Sequence, residues 1–235
     1  MEVENGKWKM GWENFPFSTF HSKKLPILVF RSLYKAYGPQ HWWPGETHDE
    51  IIIGAILTQN TSWTNVEKAI HNLKEKGLCA LDKIAQADQD DLAELIKPSG
   101  YFNQKAKRLI YIANSLKPDD IRNADLPAAR KILLGLTGIG PETADSILLY
   151  VYHKPIFVID AYTKRLFTRL GVKLKDDKYG TFQEYFMKNL PEDTQLYNEY
   201  HALIVRHAKY FCKTKPDCER CCLSQIDNSE LKIEG

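Results

Sequence analysis

Residues 136–171 read LTGIGPETADSILLYVYHKPIFVIDAYTKRLFTRLG, and this stretch decides the fold. It places the turn Gly138-Ile139-Gly140 directly before a predicted helix with Pro141 in its first turn. Glycines allow the backbone conformations of a tight helix-to-helix turn, and proline is favoured where a helix begins. A helix start presents unsatisfied N–H groups and the positive end of the helix dipole. The pattern is typical either of an ordinary turn between helices or of a turn that grips a phosphate.

Outside this stretch the chain shows helical periodicity nearly everywhere and few strand signals. Thr47 and Glu50 form a capping box before the apolar run Ile51–Leu57, which predicts a central, buried helix. Asp160 is placed to cap the helix that follows it. Further helices are predicted over about 63–76, 89–96, 104–116, 127–134, 142–152, 161–171, 181–190 and 195–210. The sequence therefore predicts an all-α fold without repeats.

The composition is that of a globular protein. Of 235 residues, 43% are hydrophobic and 26% are charged, which excludes disorder as the main state. The longest unbroken apolar stretch, Ile51–Leu57, is too short to span a bilayer, so we expect no membrane partner. The start, MEVENGKWKM, lacks the apolar region of a secretory signal. We therefore expect a cytoplasmic, nucleoid-associated protein whose thiols are free or hold metal.

Basic residues form three clusters although the formal net charge is only +2. On their own, such clusters most often form solvated helix faces. The functional interpretation is local contact with phosphates on a nearly neutral protein. The clusters are Lys105, Lys107 and Arg108; Lys164, Arg165, Arg169, Lys173 and Lys175; and Arg206, Lys209, Lys213 and Lys215.

The glycine turn, followed about twenty residues later by Asp160 at a helix head, resembles the helix-hairpin-helix DNA glycosylases of the endonuclease III superfamily. The resemblance includes ILTQNTSWTNVEKAI from Ile56 and KPSGYFNQKAKRL from Lys97, and covers most of the chain after about His41. WWPGE, LTQNTSW and GIGPETAD look most like the 3-methyladenine DNA glycosylase III branch. The resemblance implies a two-lobed fold with the active cleft between the lobes. We expect a six-helix barrel over 46–153, and a second lobe from 1–45 and 154–235.

The resemblance also implies the chemistry. Breaking an N-glycosidic bond gives the sugar oxocarbenium character, which a carboxylate stabilises. Asp160 matches the essential carboxylate of the superfamily. Its alternative role is that of an N-cap, which is worth about 1 kcal/mol of stability. Bifunctional members carry a nucleophilic Lys two residues after the second glycine, where this chain has Glu142. Glu142, like Asp160, is a candidate catalytic-site residue. We favour a different role for it, as an acid in the first turn that the helix dipole stabilises. Water is then the nucleophile, and no lyase activity is expected.

Base recognition requires that the damaged base leave the helical stack. By resemblance, Gln59 matches the residue that wedges into the duplex. The expected base pocket holds Trp42, Trp43, Pro44 and Trp63, whose indole faces attract cationic alkylated purines. We expect at least one of these tryptophans to be core, and Tyr101 and Phe102 to pack rather than line the pocket. The expected DNA contacts besides Gln59 are Gly138, Ile139, Gly140, Thr143, Lys105 and Lys164.

Four of the five cysteines lie in the tail, as Cys212-x5-Cys218-x2-Cys221-Cys222. Many endonuclease III relatives hold a [4Fe–4S] cluster on four cysteines in this region, so the resemblance implies an iron–sulfur cluster. The fourth cysteine is expected at position 227, which is Asp. Cys222 or Asp227 then completes the site, or the site is degenerate. Zinc held by three cysteines and His207 is a weaker alternative. The 3-methyladenine branch lacks the cluster, so the two resemblances disagree.

The leading hypothesis is a monomeric, monofunctional DNA glycosylase that releases an alkylated purine from double-stranded DNA during base excision repair. One alternative is a glycosylase for uracil, hypoxanthine or mismatched thymine. A second is a non-catalytic helix-hairpin-helix module that binds DNA without turnover. The presence of Asp160 together with Gln59 argues against that module.

Overall fold

The structure, a computed structural model, describes residues 3–4, 7–8, 24–40, 42, 45–224 and 226. The predicted all-α fold is confirmed, with one addition, the antiparallel pair of two-residue strands β1 (Val3–Glu4) and β2 (Lys7–Trp8). The chain divides into two compact units, Trp43–Ile156 and Met1–Trp42 with Phe157–Gly235. The helices are α1 (Leu25–Tyr37), α2 (His48–Leu57), α3 (Trp63–Glu75), α4 (Leu81–Ile84), α5 (Gln89–Leu95), α6 (Phe102–Ser115), α7 (Pro118–Asn123), α8 (Leu126–Leu134), α9 (Pro141–Tyr150), α10 (Ala161–Arg169), α11 (Tyr179–Asn189) and α12 (Thr194–Tyr210).

Helix α2 lies at the centre of the unit 43–156, packed against α3, α6 and α9. The Thr47 hydroxyl accepts the Glu50 N–H at 3.1 Å and so starts the helix as predicted. Ile51 and Ile53 are almost fully buried, as are the other apolar residues of the run except the half-buried Ala55. A helix that is apolar on all sides is stable in water only where it is covered on all sides, which explains its central position.

A buried ion pair holds α8 and α9 together below the glycine turn. The Arg130 guanidinium donates to both carboxylate oxygens of Asp145, at 2.7 and 3.2 Å, and Asp145 is fully buried. Ile139, at the tip of the turn, is also buried at 6% exposure. The bidentate Arg130–Asp145 ion pair therefore holds the two helices on either side of the turn, and the buried Ile139 side chain holds its tip.

The second unit is built around an aromatic core. Phe157 stacks on Phe186 with ring centroids 4.3 Å apart, and Tyr197 and Tyr200 meet Phe157 edge-on. The Tyr200 hydroxyl donates to the Pro26 carbonyl at 2.6 Å and so links α12 to the first turn of α1. Helix α12 packs against both α1 and α10. The extended segment 155–159, buried from Ile156 onward, leads into α10 and delivers Asp160 to its start.

Helices α1, α4 and α7 were not predicted from the sequence. Lys24, at the start of α1, makes no capping hydrogen bond, so the strongest start signal is absent, although Pro26 in the first turn was available as a weaker one. Helices α4 and α7 have only 4 and 6 residues, too few to show a period. Within the described ranges, none of the helices combines the length and apolarity needed to cross a bilayer.

Candidate active site

Asp160 sits at the head of α10 with both carboxylate oxygens in use. Its Oδ1 accepts the Thr163 N–H at 2.7 Å, which caps the helix as predicted. Its Oδ2 faces Nε2 of His201 at 3.5 Å. The side chain keeps 13% of its surface exposed, so the carboxylate is shielded without being sealed off.

The surroundings keep Asp160 ionised. Burial acts to raise its pKa, but contact with His201 and the hydrogen bonds of Thr163 outweigh burial, and the pKa lies below its ordinary value. At neutral pH the group is therefore a carboxylate. A fixed negative charge at a partly desolvated position stabilises a cation more strongly than the same charge in water.

The glycine turn of the other unit has two glycines with different requirements. Gly138 has φ +90°, so the backbone conformation demands glycine, and a Cβ there would also displace the Arg108 side chain. Gly140 is the N-cap of α9 with φ −92°, a conformation any residue adopts. Apart from its chain neighbours, none of the described residues has an atom within 4 Å of a Cβ at Gly140, and none of their side chains caps α9. The start of α9 is therefore open to an anion.

Gln59 is bound to this turn. Its Nε2 donates to the Gly138 carbonyl and to the Thr143 hydroxyl, both at 3.0 Å. Arg108 donates to the Gln59 side-chain oxygen and lies against Gly138. The structure thus brings the expected wedge residue and the expected phosphate-binding turn together. From the sequence, Arg108 was recognised only as part of a basic cluster. Its contacts with Gln59 and Gly138 were not predicted.

Lys105 is not placed to contact DNA, so that prediction is wrong. It is 2% exposed, and its ammonium donates to the carbonyls of Leu57 at 2.8 Å and Ser99 at 2.7 Å. Burial, with a smaller contribution from Arg108, lowers the pKa of Lys105 to about 8. The residue links the end of α2 to the turn before α6, and an ammonium held between two buried carbonyls cannot reach a phosphate.

The other expected DNA contacts differ in exposure. The Ile139 and Thr143 side chains are buried, and the Ile139 N–H donates to the Leu136 carbonyl at 3.1 Å. While this hydrogen bond is formed, the Ile139 N–H is not available to contact DNA. Lys164 is half-buried; its ammonium donates to the Asp177 carbonyl and lies 5.5 Å from the ring centroid of Phe182. Glu142 lies exposed in the first turn of α9, the place of a first-turn acid.

The expected pocket residues are described only in part. Trp42 is half-buried, with its ring 6.3 Å from that of His201. Trp63 is half-buried against Gly54 of α2, where a Cβ would lie 3.7 Å from the indole. Trp43 and Pro44 lie outside the described residues. Tyr101 is 67% exposed with φ +48°, so the expectation that it packs is wrong.

The thiols of the tail lie in different surroundings. Cys212 is buried, with the Arg169 guanidinium 3.3 Å from its sulfur, and Cys218 is exposed. The Cys221 sulfur lies 3.4 Å from Nε2 of His207. Burial raises the pKa values of the Cys221 and Cys222 thiols, so they favour the protonated form, whereas a metal ligand is a thiolate.

The described thiols are not gathered around one common metal position. In the ranges that the structure covers, which leave out Asp227, no three His, Cys, Asp or Glu side chains are grouped to hold a metal ion. Instead, Cys222 faces the Tyr37 hydroxyl at 3.8 Å, and that hydroxyl lies 2.7 Å from Nδ1 of His207. No step of the reaction below is therefore derived through an iron–sulfur cluster.

An all-α unit with an open helix-hairpin-helix turn, and a carboxylate heading a helix of the companion unit, define the class of helix-hairpin-helix DNA glycosylases. The model of the HhH-GPD superfamily of base excision DNA repair proteins matches residues 53–192. The chain belongs to this superfamily. A Methanocaldococcus jannaschii protein named as a DNA repair glycosylase is 48% identical over 205 residues, covering 84% of this chain and 93% of its own length.

Solved structures agree with the assignment. H. pylori 3-methyladenine DNA glycosylase (MagIII), in a crystal structure bound to 1,N6-ethenoadenine, has a TM-score of 0.68 and 31% identity, covering 78% of this chain and 97% of that one. A trapped endonuclease III–DNA covalent intermediate has a TM-score of 0.71 at 22% identity, covering 83% and 90%, and shows the fold. Endonuclease III of Sulfolobus acidocaldarius is 30% identical, covering 75% of this chain and 82% of its own.

Proposed function

We propose that this chain is a monofunctional DNA glycosylase that extrudes an alkylated purine from double-stranded DNA and hydrolyses its N-glycosidic bond. The observation that carries the proposal is the ionised, partly shielded Asp160 at the head of α10, downstream of a helix-hairpin-helix turn with an open helix start. The turn would hold a phosphate, and the carboxylate would face the sugar whose base has left the stack.

Asp160 acts on the charge that the reaction creates. The bond from C1′ to the purine nitrogen breaks, and its electron pair leaves with the base. A purine alkylated on a ring nitrogen carries a positive charge and departs neutral, so it needs no strong general acid. Positive charge develops on the sugar, where Asp160 stabilises it. A water oxygen then bonds to C1′, and this water loses a proton. The product is an abasic site in the DNA.

Two observations on possible nucleophilic amines favour hydrolysis over strand cleavage. The position at which a lyase-active member carries its nucleophile is Glu142, whose carboxylate cannot form a Schiff base. Lys105 has a pKa lowered to about 8, a value that suits a nucleophilic amine, but its ammonium is buried between two carbonyls. It is therefore not available to attack a sugar.

The preference for alkylated purines rests on aromatic surroundings and on similarity. Trp42 and Trp63 are half-buried indoles, which leaves part of each ring accessible to a cationic base. A protein that is 31% identical over most of its chain is a 3-methyladenine DNA glycosylase. Both observations favour an alkylated purine over uracil or mismatched thymine, which carry no charge.

A panel of duplexes tests the substrate. Each duplex carries a single 3-methyladenine, hypoxanthine, uracil or T·G site, and the released base is measured under single-turnover conditions. We expect release of 3-methyladenine at the highest rate, and no release by the Asp160→Asn variant. Release of uracil but not of 3-methyladenine would replace the proposed substrate. Release of no base at all would support a DNA-binding module instead.

We also propose that the tail holds an iron–sulfur cluster, probed separately from activity. The support is the spacing of the four tail cysteines and the similarity of the chain to endonuclease III. The cluster would have a structural role, with Cys222 or Asp227 as its fourth ligand. Anaerobically purified protein should contain iron and absorb near 400 nm. Protein that is folded, colourless and free of iron would contradict the proposal.

A further inference from the structure

The carboxylate of Asp160 has one oxygen that the helix cap does not use. The cap occupies Oδ1, through the Thr163 N–H at 2.7 Å. The Oδ2 atom lies 3.5 Å from Nε2 of His201, which belongs to α12 and has 9% of its side chain exposed. A cap fixes one oxygen but leaves the other free to turn away from the reacting sugar. His201 is the group that faces this second oxygen.

The same imidazole also contacts the first tryptophan of the expected base pocket. The rings of His201 and Trp42 meet edge-on, with centroids 6.3 Å apart and an angle of 65° between their planes. One side chain of α12 therefore touches both the carboxylate and the indole.

Helix α12 fixes the segment that carries Trp42 as well. Glu199 accepts the Gln40 N–H at 2.6 Å, and Arg206 donates to the Gln40 side-chain oxygen at 3.0 Å. The backbone two residues before Trp42 is thus attached to the helix that bears His201. Carboxylate, imidazole and indole all belong to one compact unit, so their spacing does not depend on how the two units move.

We propose that His201 is a positioning residue for base release, with its Nε2–H donating to Oδ2 of Asp160 while its ring supports Trp42. This inference rests on the proposed function. An N–H on Nε2 orients the carboxylate towards the reacting sugar, and the ring keeps the indole at a fixed distance from the carboxylate. His201 does not touch the sugar and takes no proton from it.

Three substitutions separate positioning from general stability. His201→Gln places an amide N–H near the position of Nε2, whereas His201→Asn places its amide near the position of Nδ1, out of reach of Oδ2. His201→Ala removes both. The rate of base release from a 3-methyladenine duplex is measured in single turnover, together with the Kd for a duplex carrying an abasic site and the melting temperature.

We expect the rate to fall about 100-fold in His201→Ala, because misplacement of a reacting group by about 1 Å has that effect. His201→Asn should behave like His201→Ala, and His201→Gln should recover at least about tenfold of the loss, with Kd changed less than about threefold in all three. Equal rates in the Gln and Asn variants, or a wild-type rate in His201→Ala, would overturn this inference alone. A wild type that releases no base from any duplex would overturn the proposed function and, with it, this inference.

Discussion

Asp160 caps a helix and, under the proposed function, also stabilises the positive charge of the reaction. Its Oδ1 caps α10, and its charge persists because His201 and Thr163 outweigh the effect of burial on its pKa. The cap was readable from the sequence, since an Asp before an apolar helical run is a standard start signal. His201 was not readable, because it lies more than forty residues downstream and only tertiary packing brings it to the carboxylate.

The two glycines of the turn should respond differently to alanine. Gly138→Ala places a Cβ against the Arg108 side chain at φ +90°, so we expect a loss of about 2 kcal/mol in the free energy of unfolding. Gly140→Ala brings its Cβ into contact with none of the described residues around it and should leave stability within about 0.5 kcal/mol. If a phosphate approaches the backbone there, the added methyl group weakens DNA binding about tenfold, or 1.4 kcal/mol.

Urea denaturation and equilibrium binding to an undamaged duplex measure these two effects. Unchanged DNA affinity in a fully folded Gly140→Ala protein would contradict the phosphate-binding role of the start of α9.

The two neighbouring lysines of the first basic cluster should also separate. Lys105→Met leaves the buried carbonyls of Leu57 and Ser99 without their donor, which we expect to lower the free energy of unfolding by about 2 kcal/mol. DNA affinity should stay the same. Lys107 is exposed, so Lys107→Ala should leave stability unchanged. If Lys107 contacts a phosphate, its loss reduces the slope of log Kd against log salt by about 1.

Denaturation curves and a salt titration distinguish the two variants. A salt slope that falls in Lys105→Met, and not in Lys107→Ala, would show that the buried assignment of Lys105 is wrong.

Helix α12 packs against α1 and α10 in the second unit. Its Glu199 is a titratable residue that binds the backbone of Gln40. Glu199 is almost fully buried and accepts the Gln40 N–H, and burial raises its pKa to about 7. In the unfolded chain the carboxyl loses its proton near pH 4.5, whereas in the folded protein it keeps the proton up to about pH 7. The unfolded chain therefore binds fewer protons between these values, and stability falls as the pH rises through this window.

Glu199→Gln keeps the acceptor for the Gln40 N–H and removes the titration. We expect this variant to be more stable than the wild type by about 3 kcal/mol at pH 8, and the difference to vanish below about pH 4.5. Urea denaturation at a series of pH values measures it. A stability difference that is the same at every pH would contradict the titration of Glu199.

Most long helices were predictable because caps and apolar spacing are local. Thr47 and Asp160 each accept the backbone N–H group that their positions predicted. What the sequence could not supply is which charges are used inside the protein. Arg165 and Arg169 donate to carbonyls at and after Cys212, so part of the second basic cluster anchors the tail. Spacing along a helix predicts a shared face, but not what covers it.

As a whole, the molecule is a helix-hairpin-helix base excision repair protein with two compact units. The match over 53–192 and the relatives establish the family, and we propose that the chemistry is hydrolysis that depends on Asp160, without lyase activity. An acid at Glu142 and a buried ammonium at Lys105 both remove amines that would otherwise compete with water.

Comparison of base release with strand cleavage on one duplex tests this central claim. A duplex with a single 3-methyladenine and a labelled strand is incubated with wild type or Asp160→Asn, divided, and resolved with and without alkali, with borohydride present in a parallel sample. We expect free base from the wild type, strand cleavage only after alkali, no borohydride adduct, and loss of at least about 100-fold in rate for Asp160→Asn. A borohydride-trapped adduct with cleavage before alkali, or base release that persists in Asp160→Asn, would contradict it.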